Sequence, residues 1–278
     1  MESYQTLFKF KAPIYSPIED EQGNLFVVSA NGDIYSVGEE IGIKFATSGQ
    51  PTGMVFDTKG ISYVADPSHQ AILAQKEGSG SNEIFPLIKE YHGSPLKGPN
   101  SLTFGPENNM IFFTDSGQFG ESNLENPCGS LYAFYLEDKE IHGIMNNCLA
   151  HPTGVALSKD EARLYICEMF KNRIIRFVQT NEGKYNSSVF YQFNGKIGPS
   201  ALALNQNDVL FVARQDFYNG SHDGLISIIG ESGDLINHLT IPNLPEISGI
   251  TCSKKNPQVI YVTENTNNSL IKIILSSK

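Results

Sequence analysis

Short apolar runs rich in aromatic and β-branched residues recur along the whole chain: Leu25-Phe26-Val27-Val28, Ile61-Ser62-Tyr63-Val64, Ile111-Phe112-Phe113-Thr114, Leu164-Tyr165-Ile166-Cys167, Leu210-Phe211-Val212-Ala213 and Ile260-Tyr261-Val262-Thr263. Such runs read as strands. Ahead of each lies a copy of a second motif, in which small or polar residues lead into an apolar strand. The copies are Tyr15-Ser16-Pro17-Ile18, Pro51-Thr52-Gly53-Met54, Pro99-Asn100-Ser101-Leu102, Pro152-Thr153-Gly154-Val155, Pro199-Ser200-Ala201-Leu202 and Ile247-Ser248-Gly249-Ile250. Turn residues such as Lys59-Gly60 and Asn207-Asp208 separate the two strands, and a third strand follows, as in Ile174-Ile175-Arg176-Phe177. No long amphipathic helix interrupts the pattern.

Repeats of about 40 to 50 residues, each with several strands, are the signature of a β-propeller, because one small sheet cannot bury both faces until neighbours pack against it. Six copies predict six blades, and the all-β chain, residues 1–278, reads as one propeller domain. The opening segment Leu7-Phe8-Lys9-Phe10 alternates like a strand without a repeat of its own. It is expected to complete the last blade and so remove an exposed sheet edge.

Composition narrows the function. The apolar fraction is 40% and the net charge is −10, which suits a folded soluble chain and disfavours nucleic acid, whose binding rewards a basic face. No stretch approaches the roughly 20 apolar residues of a membrane span. The N-terminus lacks the basic start and apolar core of a signal peptide, so the expected location is intracellular and cytoplasmic. Cys128, Cys148, Cys167 and Cys252 follow no paired spacing and read as free thiols.

Propeller geometry gathers the start of each first strand and the end of each second strand at one mouth. One ring then holds Tyr15, Thr52, Asn100, Thr153, Ser200 and Ser248; the other holds Ser29, Asp66, Asp115, Glu168, Arg214 and Glu264. Four carboxylates in the second ring have two readings. They accept hydrogen bonds from turn amides, or they serve a cation or a reaction at the mouth. Asp115 shares its repeat with Asn100, an oxygen pair that suits a hard cation. His151, just ahead of the fourth repeat, is placed to approach the mouth or to cap a turn. Two long loops, 116–130 and 215–224, open on the same face, the second carrying Phe217, Tyr218 and His222 as a possible aromatic rim.

Segments 98–116, GPNSLTFGPENNMIFFTDS, and 151–177, HPTGVALSKDEARLYICEMFKNRIIRF, resemble the senescence marker protein (regucalcin)/gluconolactonase family. The runs TDSG at 114–117 and GSLYAF at 129–134 are similar to its strictosidine-synthase-like relatives. The first resemblance implies hydrolysis of a sugar lactone by a divalent cation, calcium or zinc, held by a Glu, two Asn and an Asp. Of these only Asn100 matches; Tyr15, Thr153 and Ser200 stand where the Glu, the second Asn and the Asp belong. The second resemblance implies acid/base chemistry by a glutamate, for which Glu168 or Glu264 is nearest.

Loss of two acidic ligands weakens a hard-cation site. The expectation is therefore a binding or assembly module without a cofactor, docking other proteins or a small molecule, with Asn100, Thr153, Ser200, Arg214 and Tyr15 as ligand-facing residues. The alternative is a hydrolase of a small lactone or ester, with Glu168 and Asp115 catalytic and with Asn100 and Asp115 holding any divalent cation.

Overall fold

Six four-stranded antiparallel sheets carry the chain, each built from strands consecutive in sequence except the last. The computed structural model describes residues 3–75, 83–105, 109–216 and 222–276. In the last sheet, Ile247–Cys252, Val259–Glu264 and Ser269–Ile274 are joined on the outside by the N-terminal strand Ser3–Lys9. Tyr4 pairs with Ile273 and Gln5 with Lys272, so the two ends of the chain close one blade. The expected strand at residues 7–10 thus extends further toward the N-terminus and ends at Lys9. A short ribbon, Glu90–Tyr91 with Ser94–Pro95, lies outside the repeat.

The innermost strands are Ile14–Glu19, Gly53–Phe56, Pro99–Phe104, Pro152–Leu157, Ile197–Leu204 and Ile247–Cys252. Each packs against its counterpart in the next blade, and the sixth packs against the first. The ring is closed, and the protein is a six-bladed β-propeller.

Six apolar clusters explain why the second strands read as continuous apolar runs rather than as an alternation. Leu25–Ser29 is buried at every position. Its Val28 packs toward Met54 and Val64 of the following blade, while Val27 packs toward Leu270 of the preceding one. A strand covered on both faces has no polar side to show. The other interblade spaces are filled in the same way, as by Phe113 beside Val55 and by Ile166 beside Phe112.

Close approach of the innermost strands accounts for the glycines of the first motif. A Cβ on Gly53 would sit 2.6 Å from the Asn100 carbonyl oxygen, and one on Gly154 would sit 2.8 Å from the Leu202 nitrogen. Neither space admits a side chain.

Hydroxyls at the channel mouth tie neighbouring blades together. Thr52 Oγ1 donates to the Asn100 carbonyl at 2.9 Å, Thr114 Oγ1 to the Thr153 carbonyl at 2.6 Å, and Thr153 Oγ1 to the Pro199 carbonyl at 3.3 Å. Ser200 Oγ donates to the Ile247 carbonyl and Ser248 Oγ to the Ile14 carbonyl, both at 2.7 Å. The last bond joins the sixth blade to the first across the closure. Ser248→Ala should cost about 1 kcal/mol in urea-induced unfolding, the usual net worth of one such bond; an unchanged midpoint would show that the closure does not depend on it.

Candidate functional site

At this mouth the channel widens into a cavity of about 740 Å³. Its wall includes the first ring in full: Tyr15, Thr52, Asn100, Thr153, Ser200 and Ser248. Because most of these hydroxyls already donate to the next blade, their protons are committed to the scaffold. Asn100 differs, since its side-chain amide has no hydrogen-bond partner among the described residues. Tyr15 is held neutral: burial pushes its phenol up, Glu246 adds to this, and a hydrogen bond with Asn265 opposes it.

The second ring is placed otherwise. Asp66, Asp115, Glu168, Arg214 and Glu264 are not part of the described wall. The residue immediately after each is instead turned to the cavity in four of these five blades: Pro67, Met169, Gln215 and Asn265. Side chains alternate along a strand, so a shift of one residue exchanges the cavity for the loop behind it.

Each carboxylate is occupied behind the wall. Asp115, 2% exposed, accepts the backbone N–H of Lys97 at 3.0 Å and of Gly98 at 2.6 Å. Burial pushes its carboxyl up, and these two amides pull it back down. Glu168, fully buried, accepts the Ala150 N–H at 2.9 Å and pairs with Lys171 at 2.9 Å and Arg173 at 2.6 Å. Asp66 Oδ1 accepts the Gln50, Ser68 and His69 amides. Its Oδ2 lies 3.1 Å from His69 Nδ1 without hydrogen-bond alignment. Glu264 accepts the Thr266 and Asn267 amides. In blades two, three and four the clamped amide belongs to the turn entering that blade's own innermost strand. Arg214 lies with its guanidinium 4.3 Å from the centre of the Phe193 ring, and burial lowers its pKa.

What remains on the described wall is uncharged. Besides the first ring it presents the amides Gln50, Gln70, Gln118, Gln215 and Asn265, together with Phe119, Met169 and His151. His151 is 5% exposed, and burial lowers its pKa to about 4 against a backbone hydrogen bond at Ser116, so it is neutral at neutral pH. Among the described residues no three His, Cys, Asp or Glu side chains come together as a metal-binding group. The glutamines and Asn265 were missed by sequence reasoning. Gln215 and Asn265 had a signal, standing one position past the second ring, whereas Gln50, Gln70 and Gln118 lie in turns of differing length and had none. Phe217 and Tyr218 of the proposed aromatic rim lie outside the described residues, and His222 is exposed.

Residues 17–266 match the SMP-30/Gluconolactonase/LRE-like region over most of the chain. The chain belongs to this family. The chain is similar to Lactonase drp35 of Staphylococcus aureus strain MW2, 26% identical over 254 residues that cover 87% of this chain and 73% of that one. Protein STRICTOSIDINE SYNTHASE-LIKE 10 of Arabidopsis thaliana is 27% identical over 172 residues, covering 59% of this chain and 45% of that protein. Among solved structures, a gluconolactonase from Xanthomonas campestris superposes with a TM-score of 0.81 at 19% identity, covering 99% of this chain and 90% of that one. At that identity the likeness concerns the fold. Both resemblances read from the sequence, to the gluconolactonase and to the strictosidine-synthase-like proteins, therefore hold. Among the described residues no helix is long and apolar enough to cross a membrane.

Proposed function

We propose that this SMP-30/gluconolactonase-like propeller is a binding module that takes an uncharged polar small molecule into the channel mouth and works without a resident divalent cation. The observation that carries the reading is the chemistry of the wall: every described side chain lining it is neutral at neutral pH, and the carboxylates nearby are spent on turn amides and on Lys171 and Arg173. A hard cation needs several oxygen ligands, carboxylates foremost. At the positions of the family's cage, Asn100 offers an amide oxygen beside a buried phenol and two hydroxyls whose protons serve the scaffold, and none of the four is a carboxylate. These residues do not fit a calcium or zinc ion, and Asp115 faces away from Asn100's cavity.

Thermal unfolding with chelator and then with millimolar calcium, magnesium, manganese or zinc tests this, since a ligand of the folded state raises the midpoint by linkage. The expected result is no shift with any cation. A rise of several degrees with one of them would overturn the cation-free reading.

A second reading, hydrolysis of a small lactone or ester in the same cavity, is favoured by the lactonase among the relatives. It predicts lactone turnover that survives chelator and is lost in Asn100→Ala.

A further inference from the structure

One corner of the cavity differs from the rest. His151, Phe119 and Phe170 form a three-ring cluster in which His151 lies 5.3 Å from each phenylalanine and the phenylalanines lie 5.5 Å apart. The cluster joins two elements distant in sequence: the long loop 116–130 supplies Phe119, and the 3₁₀ turn Met169–Lys171 supplies Phe170. Phe119 is 68% exposed, unusual for a large apolar ring on a wall made mostly of amides and hydroxyls.

His151 itself is costly to the fold in two ways. Its backbone holds φ 54°, the left-handed region that residues other than glycine seldom adopt. Its Nδ1 is shielded from solvent without a hydrogen-bond partner, and the ring's remaining polar contact is with the Ser116 backbone. The surrounding structure enforces this pose. Ser122 Oγ accepts the His151 N–H at 3.0 Å and donates to the Leu149 carbonyl at 2.8 Å, while the His151 carbonyl accepts the Met169 N–H at 3.2 Å. A left-handed backbone carrying a buried imidazole with one unpartnered nitrogen, held at its N–H and its carbonyl beside a cavity, is the kind of outlier that suits a ligand site.

We infer that this corner is the orienting subsite of the cavity: it takes an uncharged ring compound that lays one face against Phe119 and shares one hydrogen bond, through a hydroxyl or N–H, with the His151 imidazole. The inference rests on the reading of the cavity as a small-molecule site and names the chemistry of its ligand. Burial keeps the imidazole neutral, with one donor and one acceptor nitrogen. The ring face matches an exposed aromatic surface, and the absence of a charged side chain among the described wall residues leaves no counter-ion there for an acid or an amine. The amides opposite, Asn100 and Gln215 among them, suit further polar groups at the far end of the ligand.

Benzyl alcohol, toluene and benzoate separate these features by ligand-observed NMR titration. Benzyl alcohol is expected to bind about five-fold more tightly than either of the others, the worth of one hydrogen bond or of one avoided buried charge. Phe119→Ala, at an exposed side chain, and His151→Asn, a residue that tolerates the left-handed backbone, should each weaken it by about five-fold while circular dichroism shows the fold retained. Equal affinity for the three compounds, or unchanged affinity in both variants, overturns the subsite. Binding lost in Asn100→Ala but not in the corner variants overturns the subsite and leaves the cavity reading standing. No binding of either neutral compound removes both.

Discussion

Glu168→Ala should lower the free energy of unfolding by about 3 kcal/mol, the usual cost of removing one partner from a buried ion pair. Glu168 ends the second strand of the fourth blade and directly precedes the 3₁₀ turn Met169–Lys171. It is fully buried, and three donors converge on it: the Ala150 N–H, Lys171 Nζ and Arg173 Nε. Removing the carboxylate strands a buried amide and leaves two cations facing each other. Because Lys171 and Arg173 are 27% exposed, both can turn partly toward water, which keeps the loss below the top of the range. Glu168→Gln retains an acceptor for Ala150 and should lose about half as much. Urea-induced unfolding of the two variants decides the matter. A carboxylate poised for chemistry is held against its own preference, so if Glu168 served the mouth, its loss would leave stability unchanged or raise it. A change below about 1 kcal/mol would return Glu168 to the candidate acids.

The architecture was legible because one physical requirement repeats six times. A second strand buried on both faces must be apolar throughout, and a first strand that touches the next blade's backbone must be small at one position. Leu25–Ser29 and Gly53 show the two requirements directly. Closure by the N-terminal strand was legible for a related reason, since a lone alternating segment at residues 7–10 had no other partner. The ribbon at Glu90–Pro95 left no trace in the repeat, because two-residue strands carry too few positions for a period to show.

The cavity wall was legible in part. All six members of the first ring line it, since they sit at the same offset in every copy of a strongly marked motif. In four blades the wall carries the residue after the second-ring member instead. Carboxylates at strand ends looked like mouth chemistry, yet in a pleated strand Asp66 or Glu168 points to the turn it clamps and the next side chain, Pro67 or Met169, points to the cavity. Net charge offered no warning, because the acidic residues are real but lie behind the wall. His151 was visible as one of two alternatives; the structure sets it on the cavity wall, and neither its left-handed backbone nor its unpartnered nitrogen can be read from sequence.

That imidazole makes the protein lose stability in mild acid, and a substitution there should remove the loss. The folded-state pKa of His151 is about 4, lowered by burial from an ordinary value of 6.5. Between those values the unfolded chain takes up a proton that the folded one refuses, so folding stability is intact above pH 6.5 and falls as pH drops toward 4. At about 1.4 kcal/mol per pH unit the loss from this one group reaches about 3 kcal/mol. Burial also pushes the Asp115 carboxyl up toward this range, so the informative quantity is a difference. The stability gap between the wild type and His151→Asn, measured by urea unfolding at pH 7 and again at pH 4.5, should shift by about 2.5 kcal/mol in favour of the variant at the lower pH. Parallel pH profiles would mean that His151 takes up its proton as readily in the folded protein as in the unfolded chain. The ring would then sit in solvent rather than in a dry corner of the cavity, and its unpartnered nitrogen would need no ligand.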